Sequence, residues 1–431
     1  MRPNLINVNR FGPLATYTGV ALLFFALSIG SVLWQSRSAT EKTNANMSAL
    51  NTQIEKIQKE IAAHPNDVKQ YIALSGAYLQ KVRETGDASY YATIDDLLSK
   101  AAAQDASNTD ISAMRASVAN GRHHFNDGLA LANDAISRNP TIATYYGIKA
   151  DALIELGKYD EAESTLQIMV DKKPNYSAFT RIAYLRELTG DIVGSKEALQ
   201  IAIDSGSTFP ENIAWAYVEL GLLQVRSDLG AAQNSFDEAL RIDPKYPLAL
   251  EGLGKVAFAR NDSKVAESKF TEAFSQRPLA QYAIDLGDLY TTQGKTTEAA
   301  QQYALARVAF EKSVSSGTDV DLEYSIFLSD HGAPTEALTK AALAYRDRPS
   351  IYGADAYSWA LYKNNRPAEA GTYSKEALRL GENDPLIVYH AAMIALASGD
   401  SSSAKQFFKK TAQLNPHFSI LFASSLQEHL K

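Results

Sequence analysis

The spacing of small residues limits most of what this chain can fold into. In residues 253–278, LGKVAFARNDSKVAESKFTEAFSQRP, Gly254, Ala266 and Ala273 stand among Leu253, Phe258 and Phe270, and Pro278 closes the stretch. The same order returns elsewhere: Gly157, Ala162, Leu166 and Pro174, then Gly332, Ala337, Ala341, Ala344 and Pro349, then Gly399, Ala404, Phe408 and Pro416. Gly157 to Gly190 and Asn261 to Gly294 are each 33 residues, so the period is about 34. A unit repeated at this length is a supersecondary element that buries its apolar face only against its neighbours.

Each unit reads as two helices and two stops. Gly254 and Gly287 fall on one face of a first helix, where a missing side chain admits a close neighbour, and Ala162, Ala266, Ala299, Ala337, Ala370 and Ala404 do the same on the second. Leu166, Phe236, Phe270, Tyr303 and Phe408 fill the remaining space, large against small. Gly157, Gly190, Gly294, Gly332 and Gly399 stand where the first helix must end in a left-handed residue. The prolines at 140, 174, 244, 278, 349, 385 and 416 follow the second helix and are expected to open the next first helix.

The pattern resembles the tetratricopeptide repeat family. The match is good at 143–176 and 247–279, clear over 280–418 and looser at 177–246, while 66–107 and 108–142 are degenerate. The resemblance implies an all-α, right-handed solenoid of about ten helix pairs, with degenerate pairs over 66–142, the main solenoid over 143–417 and a capping helix over 418–431. Ile420, Leu421 and Leu426 are expected to pack inward in that cap, with Gln427, Glu428 and Lys431 in water. Three departures carry expectations of their own. SGSTFPENI (205–213) lengthens a turn into a surface loop, a residue missing between Gly221 and Phe236 tightens another, and the seventh unit, lacking its Pro, runs on as a longer second helix.

The amino-terminal end is different. From Phe11 to Ser36 no side chain is charged, and the heart of this run, residues 14–34, covers about 31 Å as a helix against a hydrocarbon core of ~30 Å. We expect a short tail over 1–12 and a transmembrane helix over 13–35. It is expected to stay as a signal-anchor, since the run exceeds a secretory apolar core and Arg37 interrupts the small residues that follow. Arg2 and Arg10 put the amino terminus in the cytoplasm and the body outside it, in a bacterial inner or plasma membrane. In the linker over 36–65, Met47, Leu50, Ile54, Ile57 and Ile61 form a short heptad stripe. It suits either a helix docked on the first unit or a weak seam for self-association.

Beyond residue 37 the chain holds 39 basic against 49 acidic side chains, a balance that repels phosphate backbones and argues against nucleic acid. There is no cysteine, which excludes disulfides, thiolate metal sites and cysteine nucleophiles. Gly294-Lys295-Thr296 lacks the earlier glycine of a phosphate loop, since that position is Leu289. His123 and His124 are adjacent, so on a helix they diverge, and a turn explains them better than a metal. No catalytic, cofactor or metal residues are expected.

Binding is the expectation instead. In the family the first helices line a concave groove, and the resemblance places Asp151 and Glu155, then Thr180, Tyr184 and Glu187, then Glu251, Lys255 and Phe258 there. Asp288 and Thr291, then Asp355, Trp359 and Tyr362, then Tyr389 and Met393 follow. Aromatic side chains among acids suit a peptide with apolar and basic groups. The expected function is a membrane-tethered, non-enzymatic scaffold for a protein or peptide partner. The alternative is an accessory subunit of an envelope-biogenesis or secretion complex.

Overall fold

The computed structural model describes residues 49–381 and 383–431, and every regular element among them is α-helical. Helix α1 covers 49–63. Ten pairs follow, beginning with α2 (Val68–Thr85) and α3 (Tyr90–Gln104), α4 (Thr109–Gly121) and α5 (Phe125–Arg138), α6 (Ala143–Glu155) and α7 (Tyr159–Lys172), then α8 (Tyr176–Leu188) and α9 (Ile192–Ser205). Next come α10 (Pro210–Val225) and α11 (Leu229–Ile242), α12 (Pro247–Ala259) and α13 (Ser263–Gln276), then α14 (Ala280–Thr292) and α15 (Thr296–Ser315). The last three pairs are α16 (Asp321–Asp330) and α17 (Pro334–Asp347), α18 (Ile351–Lys363) and α19 (Pro367–Ala377), and α20 (Pro385–Ala397) and α21 (Ser401–Leu414), after which α22 (Ala423–His429) ends the chain.

Large-into-small packing holds the pairs together. A methyl group on Gly254 would meet the Phe270 ring at 2.4 Å, one on Gly252 would meet Phe236 at 2.3 Å, and one on Gly287 would meet Tyr303 at 2.4 Å. The rings therefore rest directly on backbone, which no other residue type at those positions permits. Nine of the ten turns within pairs carry a left-handed residue: Gly86, His123, Gly157, Gly190, Asn261, Gly294, Gly332, Asn365 and Gly399. The fifth pair has none, and there Asp228 N–H bonds back four residues to Gln224 where Lys158 bonds back five to Leu153. That is the tighter turn expected from the missing residue.

Several details differ from the sequence expectations. Of the prolines assigned to helix starts, only Pro385 occupies one. The others sit in the turn, and the residue before each, such as Asn139, Lys173 or Asp243, is extended (φ −143°, −156° and −127°) because a following proline ring bars the helical conformation. They end helices. The insertion near 205–213 does not form a plain surface loop: it lengthens α10 to 16 residues and turns Phe209 inward. The capping helix is shorter than 418–431, since 415–422 runs non-helically along the inner face and buries Ile420 against Ala257 and Leu286. Helix α15, at 20 residues, is longer as expected.

The heptad stripe is consumed within the chain. Leu50, Ile54 and Ile57 are buried against Tyr71, Leu74, Leu97 and Ile111 of the first units, so the described residues leave no seam there for self-association. The expected tail and transmembrane helix, 1–12 and 13–35, lie outside the described residues. Among the described ones, no helix is long and apolar enough to cross a membrane.

The solenoid winds until its turns touch. Hydrogen bonds join residues 192 to 196 apart: Arg277 to the Glu84 carbonyl, His123 Nδ1 to the Asp319 carbonyl (2.6 Å), Arg348 to Glu155 (2.5 Å), Ile351 N–H to the Tyr159 hydroxyl (2.9 Å) and Asn383 to the Leu188 carbonyl (3.3 Å). One superhelical turn thus takes just under six units. Gly157 and Gly190 serve twice in this winding. Besides their left-handed backbone, a methyl group on Gly157 would meet the Pro349 carbonyl at 2.4 Å, and one on Gly190 would meet Asn383 at 2.4 Å. Gly294 has open space at the same place in its unit. Asn tolerates the left-handed conformation, so Gly294→Asn should stay within about 0.5 kcal/mol of wild type. Gly157→Asn should cost about 1–3 kcal/mol through overpacking. Urea unfolding of the two variants checks this, and equal stabilities would mean that the turns do not touch.

Candidate interior groove

The first helices of the pairs face the superhelix axis, and winding has turned the expected open groove into interior spaces. One is a cavity of about 800 Å³ bounded by α2 and α3 on one side and by α6, α8, α9 and α10 on the other. Its walls include Leu79, Val82, Tyr176, Phe209 and Trp215, with Arg83, Asp151, Arg181, Glu187 and Glu219 among them. A second space of about 460 Å³ shares Leu79, Asp151, Arg181 and Tyr184 with it and continues it toward Glu155 and Arg348. A third, of about 470 Å³, lies farther along the axis beneath residues 415–422 and is lined by Lys255, Phe258, Asp285, Asp288 and His331. Between the first and the third, Arg226 on Glu187, with Tyr352 and Asp384 beside them, nearly closes the axis.

Of the residues expected in the groove, four meet in the first of these cavities: Asp151, Thr180, Tyr184 and Glu187. Asp151 accepts from Nε and Nη2 of Arg181, each at 2.7 Å, while Nη1 donates to the Ser177 carbonyl. Glu155 is held by Arg348 at 2.5 Å, and Arg348 also reaches Glu323 at 3.2 Å and covers the Phe125 ring. Lys255 folds back on Glu251 at 2.5 Å. Burial opposes the Lys255 ammonium, yet Glu251 and Asp285 outweigh it and hold the group protonated. Thr291 turns its hydroxyl to the Gly287 carbonyl of its own helix at 2.9 Å, so it adds little to the inner face.

Asp288 accepts from the Tyr303 hydroxyl at 3.0 Å, and burial pushes its carboxyl up to about 7, with Asp330's charge adding and the Tyr303 bond opposing. His331 lies 3.5 Å away, but burial and Lys363 bring its imidazolium down to about 4. Near neutral pH the two are therefore not an ion pair.

The ninth and tenth units correct the expected groove. Trp359 is 1% exposed, stacked between His390 (centroids 3.9 Å apart) and Tyr362 (4.8 Å), and its indole N–H donates to Asp330 at 2.7 Å. Asp355 is buried with His390 Nδ1 2.9 Å away, Tyr389 is buried under Phe422 and Phe418, and Glu251 is buried as well. Met393 belongs to the same apolar cluster, and Tyr362 is half-buried at its edge. Trp359 and Tyr389 belong to the core because Phe418 and Phe422 of the carboxyl-terminal segment fold over the face they would have lined, whereas Asp355 is met by His390 of the next unit and Glu251 by Lys255 of its own helix. Resemblance by repeat position gives the face of a helix. It says nothing of what the rest of the chain lays upon that face.

Sequence reasoning missed Phe209, Trp215, Glu219 and the contribution of α2. A signal existed for one of them: Glu155, Glu187, Glu219 and Glu251 recur at intervals of 32 residues, which puts Glu219 in register on the inner face. The turn motifs resolve as structure. Gly294 is the left-handed turn residue, Lys295 reaches Glu267 at 3.4 Å, and His123 sits in a turn with His124 capping α5. Among the described residues no group of three or more His, Asp or Glu side chains is placed to hold a metal ion.

The sequence profile of the tetratricopeptide repeat family matches residues 114–177, 222–278 and 253–314. Over those residues the chain matches tetratricopeptide repeats. No curated protein matches it in sequence. Solved structures of similar form include yeast Tom70 (16% identity, covering 91% of this chain and 96% of that one, TM-score 0.39), human IFIT1 (15%, 77% and 78%, 0.48) and the Cut9–Hcn1 assembly (12%, 93% and 95%, 0.37). At these identities and scores the resemblance is one of helical stacking.

The buried position of Trp359 has a measurable consequence. Trp359→Ala should lower unfolding stability by about 3–5 kcal/mol, the usual cost of deleting a buried aromatic side chain. Tyr362→Ala, at the edge, should cost clearly less. Denaturant unfolding of both variants checks this, and a cost below about 1 kcal/mol for Trp359→Ala would place the indole outside the core.

Proposed function

We propose that this protein is a scaffold that holds a partner polypeptide against the inner face of its repeat superhelix, chiefly in the cavity of about 800 Å³ between α2, α8 and α10. That cavity is the single observation that carries the reading. It is of the size that ligand-binding clefts occupy, its walls are in about equal parts apolar or aromatic and polar or charged, and it gathers four groove positions of the repeat. The partner is held by surface complementarity between preformed shapes, with no bond made or broken. The walls come from several stacked pairs, so the shape is fixed before the partner arrives and little ordering entropy is lost on binding.

The membrane tether belongs to the same reading. It rests on the uncharged run at 14–34, whose length suits a bilayer, and it places the repeats beside the membrane, where a captured partner is concentrated. The body lies outside the cytoplasm, as the arginines before the run favour.

Two experiments test the parts separately. A photo-crosslinking amino acid at Phe209, on the cavity wall, should give a discrete protein adduct in intact cells, while one at Val193, which is 70% exposed, should not. Equal adducts from both positions, or none from 209, would contradict the reading of the inner face. Protease added to intact cells with a permeable outer envelope should digest the repeats, and their protection would contradict the outward orientation.

A further inference from the structure

The first helices, with Asp285 in α14, set a ladder of acids along the axis: Glu155, Glu187, Glu219, Glu251, Asp285, Glu323 and Asp355. Nearly every rung is answered from within the chain. Arg348 serves Glu155 and Glu323, Arg226 serves Glu187, Lys255 serves Glu251, Gln281 donates to Asp285 at 2.8 Å, and His390 lies against Asp355. Glu219 is the exception. It accepts no hydrogen bond and joins no ion pair with the described residues, and it lines the cavity of about 800 Å³.

The cations nearest that cavity are already committed. Arg83 is paired with Glu211 at 2.9 Å while covering the Trp215 ring, and Arg181 is paired with Asp151. The charged groups around Glu219 are Glu187 from α8, Arg83 from α2, and Glu251 and Lys255 from α12. The Glu219 side chain is half-buried, set among these groups with part of its surface open to the cavity. Burial, then the charge of Glu187, push its carboxyl up to about 8, with Arg83 opposing. An ionised Glu219 has no ion-pair partner of its own, because Arg83 and Lys255, whose charges reach it, are held by Glu211 and Glu251.

We propose that the cavity takes a Lys or Arg side chain carried on an extended segment of the partner polypeptide, with its cationic head at Glu219 and neighbouring apolar residues against Trp215, Phe209 and Leu79. This rests on the reading of the inner face as a polypeptide-binding surface and names the chemistry that face selects. Charge complementarity argues for the cation. Volume argues for a segment, because a lone amine would leave most of a space of about 800 Å³ empty, its apolar wall at Leu79, Phe209 and Trp215 included. Binding of the cation favours the ionised form of Glu219, so capture is coupled to loss of its proton.

The test uses the full chain and pools of capped heptapeptides with a fixed central residue, Lys, Arg, norleucine or Glu, and flanks randomised among Ala, Leu, Phe and Ser. Lys- and Arg-centred pools should be retained about tenfold or more over the norleucine pool, as a charge-assisted hydrogen bond in a desolvated site warrants. That ratio should grow from pH 6 to pH 9 as Glu219 gives up its proton. Glu219→Gln, with helical content unchanged, should bring the ratio near one and flatten its pH dependence, while norleucine peptides are still retained. Retention without a charge preference, or a preference that survives in Glu219→Gln, would overturn the proposal and leave the polypeptide-binding reading standing. Failure of every pool to bind would overturn both.

Discussion

Contact between successive turns of the superhelix governs the rest of this structure. Arg348 is its centre: one guanidinium ties Glu155 of the third unit to Glu323 of the eighth while lying over Phe125 of the second. A buried cation with two carboxylates is not a cheap source of stability, because desolvation offsets most of the attraction. Its effect here is registry. Removing any one partner leaves charge uncompensated in a place water reaches poorly, so the turns are held at one rotation and not another. Backbone carbonyls at Glu84 and Leu188 on one turn accept from Arg277 and Asn383 on the next, and that of Asp319 on the next accepts from His123 on the first.

That contact decides what the inner face becomes. An open solenoid would present the first helices as a continuous concave strip. Wound to contact, the strip divides into a cavity at the amino-terminal side and a smaller space beneath the carboxyl-terminal segment, with Arg226, Glu187 and Tyr352 between them. Side chains that would serve binding in an open groove are drawn into the core in the later units, where Trp359 and Tyr389 pack under Phe422. In the earlier units α2 forms the far wall but does not fill the space, and Glu219 is left facing it.

The local and neighbour-to-neighbour parts of this architecture were legible in the sequence, for a physical reason. A repeat writes its packing rules in residues that touch within a unit or one unit away. Phe270 on Gly254, Asn261 in a left-handed turn and the long α15 could therefore be read from spacing alone. Docking of Leu50, Ile54 and Ile57 was legible only as one of two options, because a heptad stripe shows an apolar face without showing its cover. The winding was not legible. It depends on small rotations accumulated over nearly six units, and its contacts join residues almost 200 positions apart with no shared pattern. Misplacing Trp359 followed directly, since its burial depends on a segment more than fifty residues later in the chain. Glu219 was legible in principle, as the member of an acidic series at 32-residue intervals that found no partner.

The winding itself is open to direct measurement because the chain contains no cysteine. Spin labels placed at Lys158→Cys and Lys375→Cys, both exposed and on opposite sides of the seam near Gly157 and Pro349, report the distance between successive turns. Closed turns predict one narrow population at the short end of the range that pulsed dipolar spectroscopy resolves. A broad, long-distance distribution would show an open superhelix, and the cavity beside Glu219 would not exist as described.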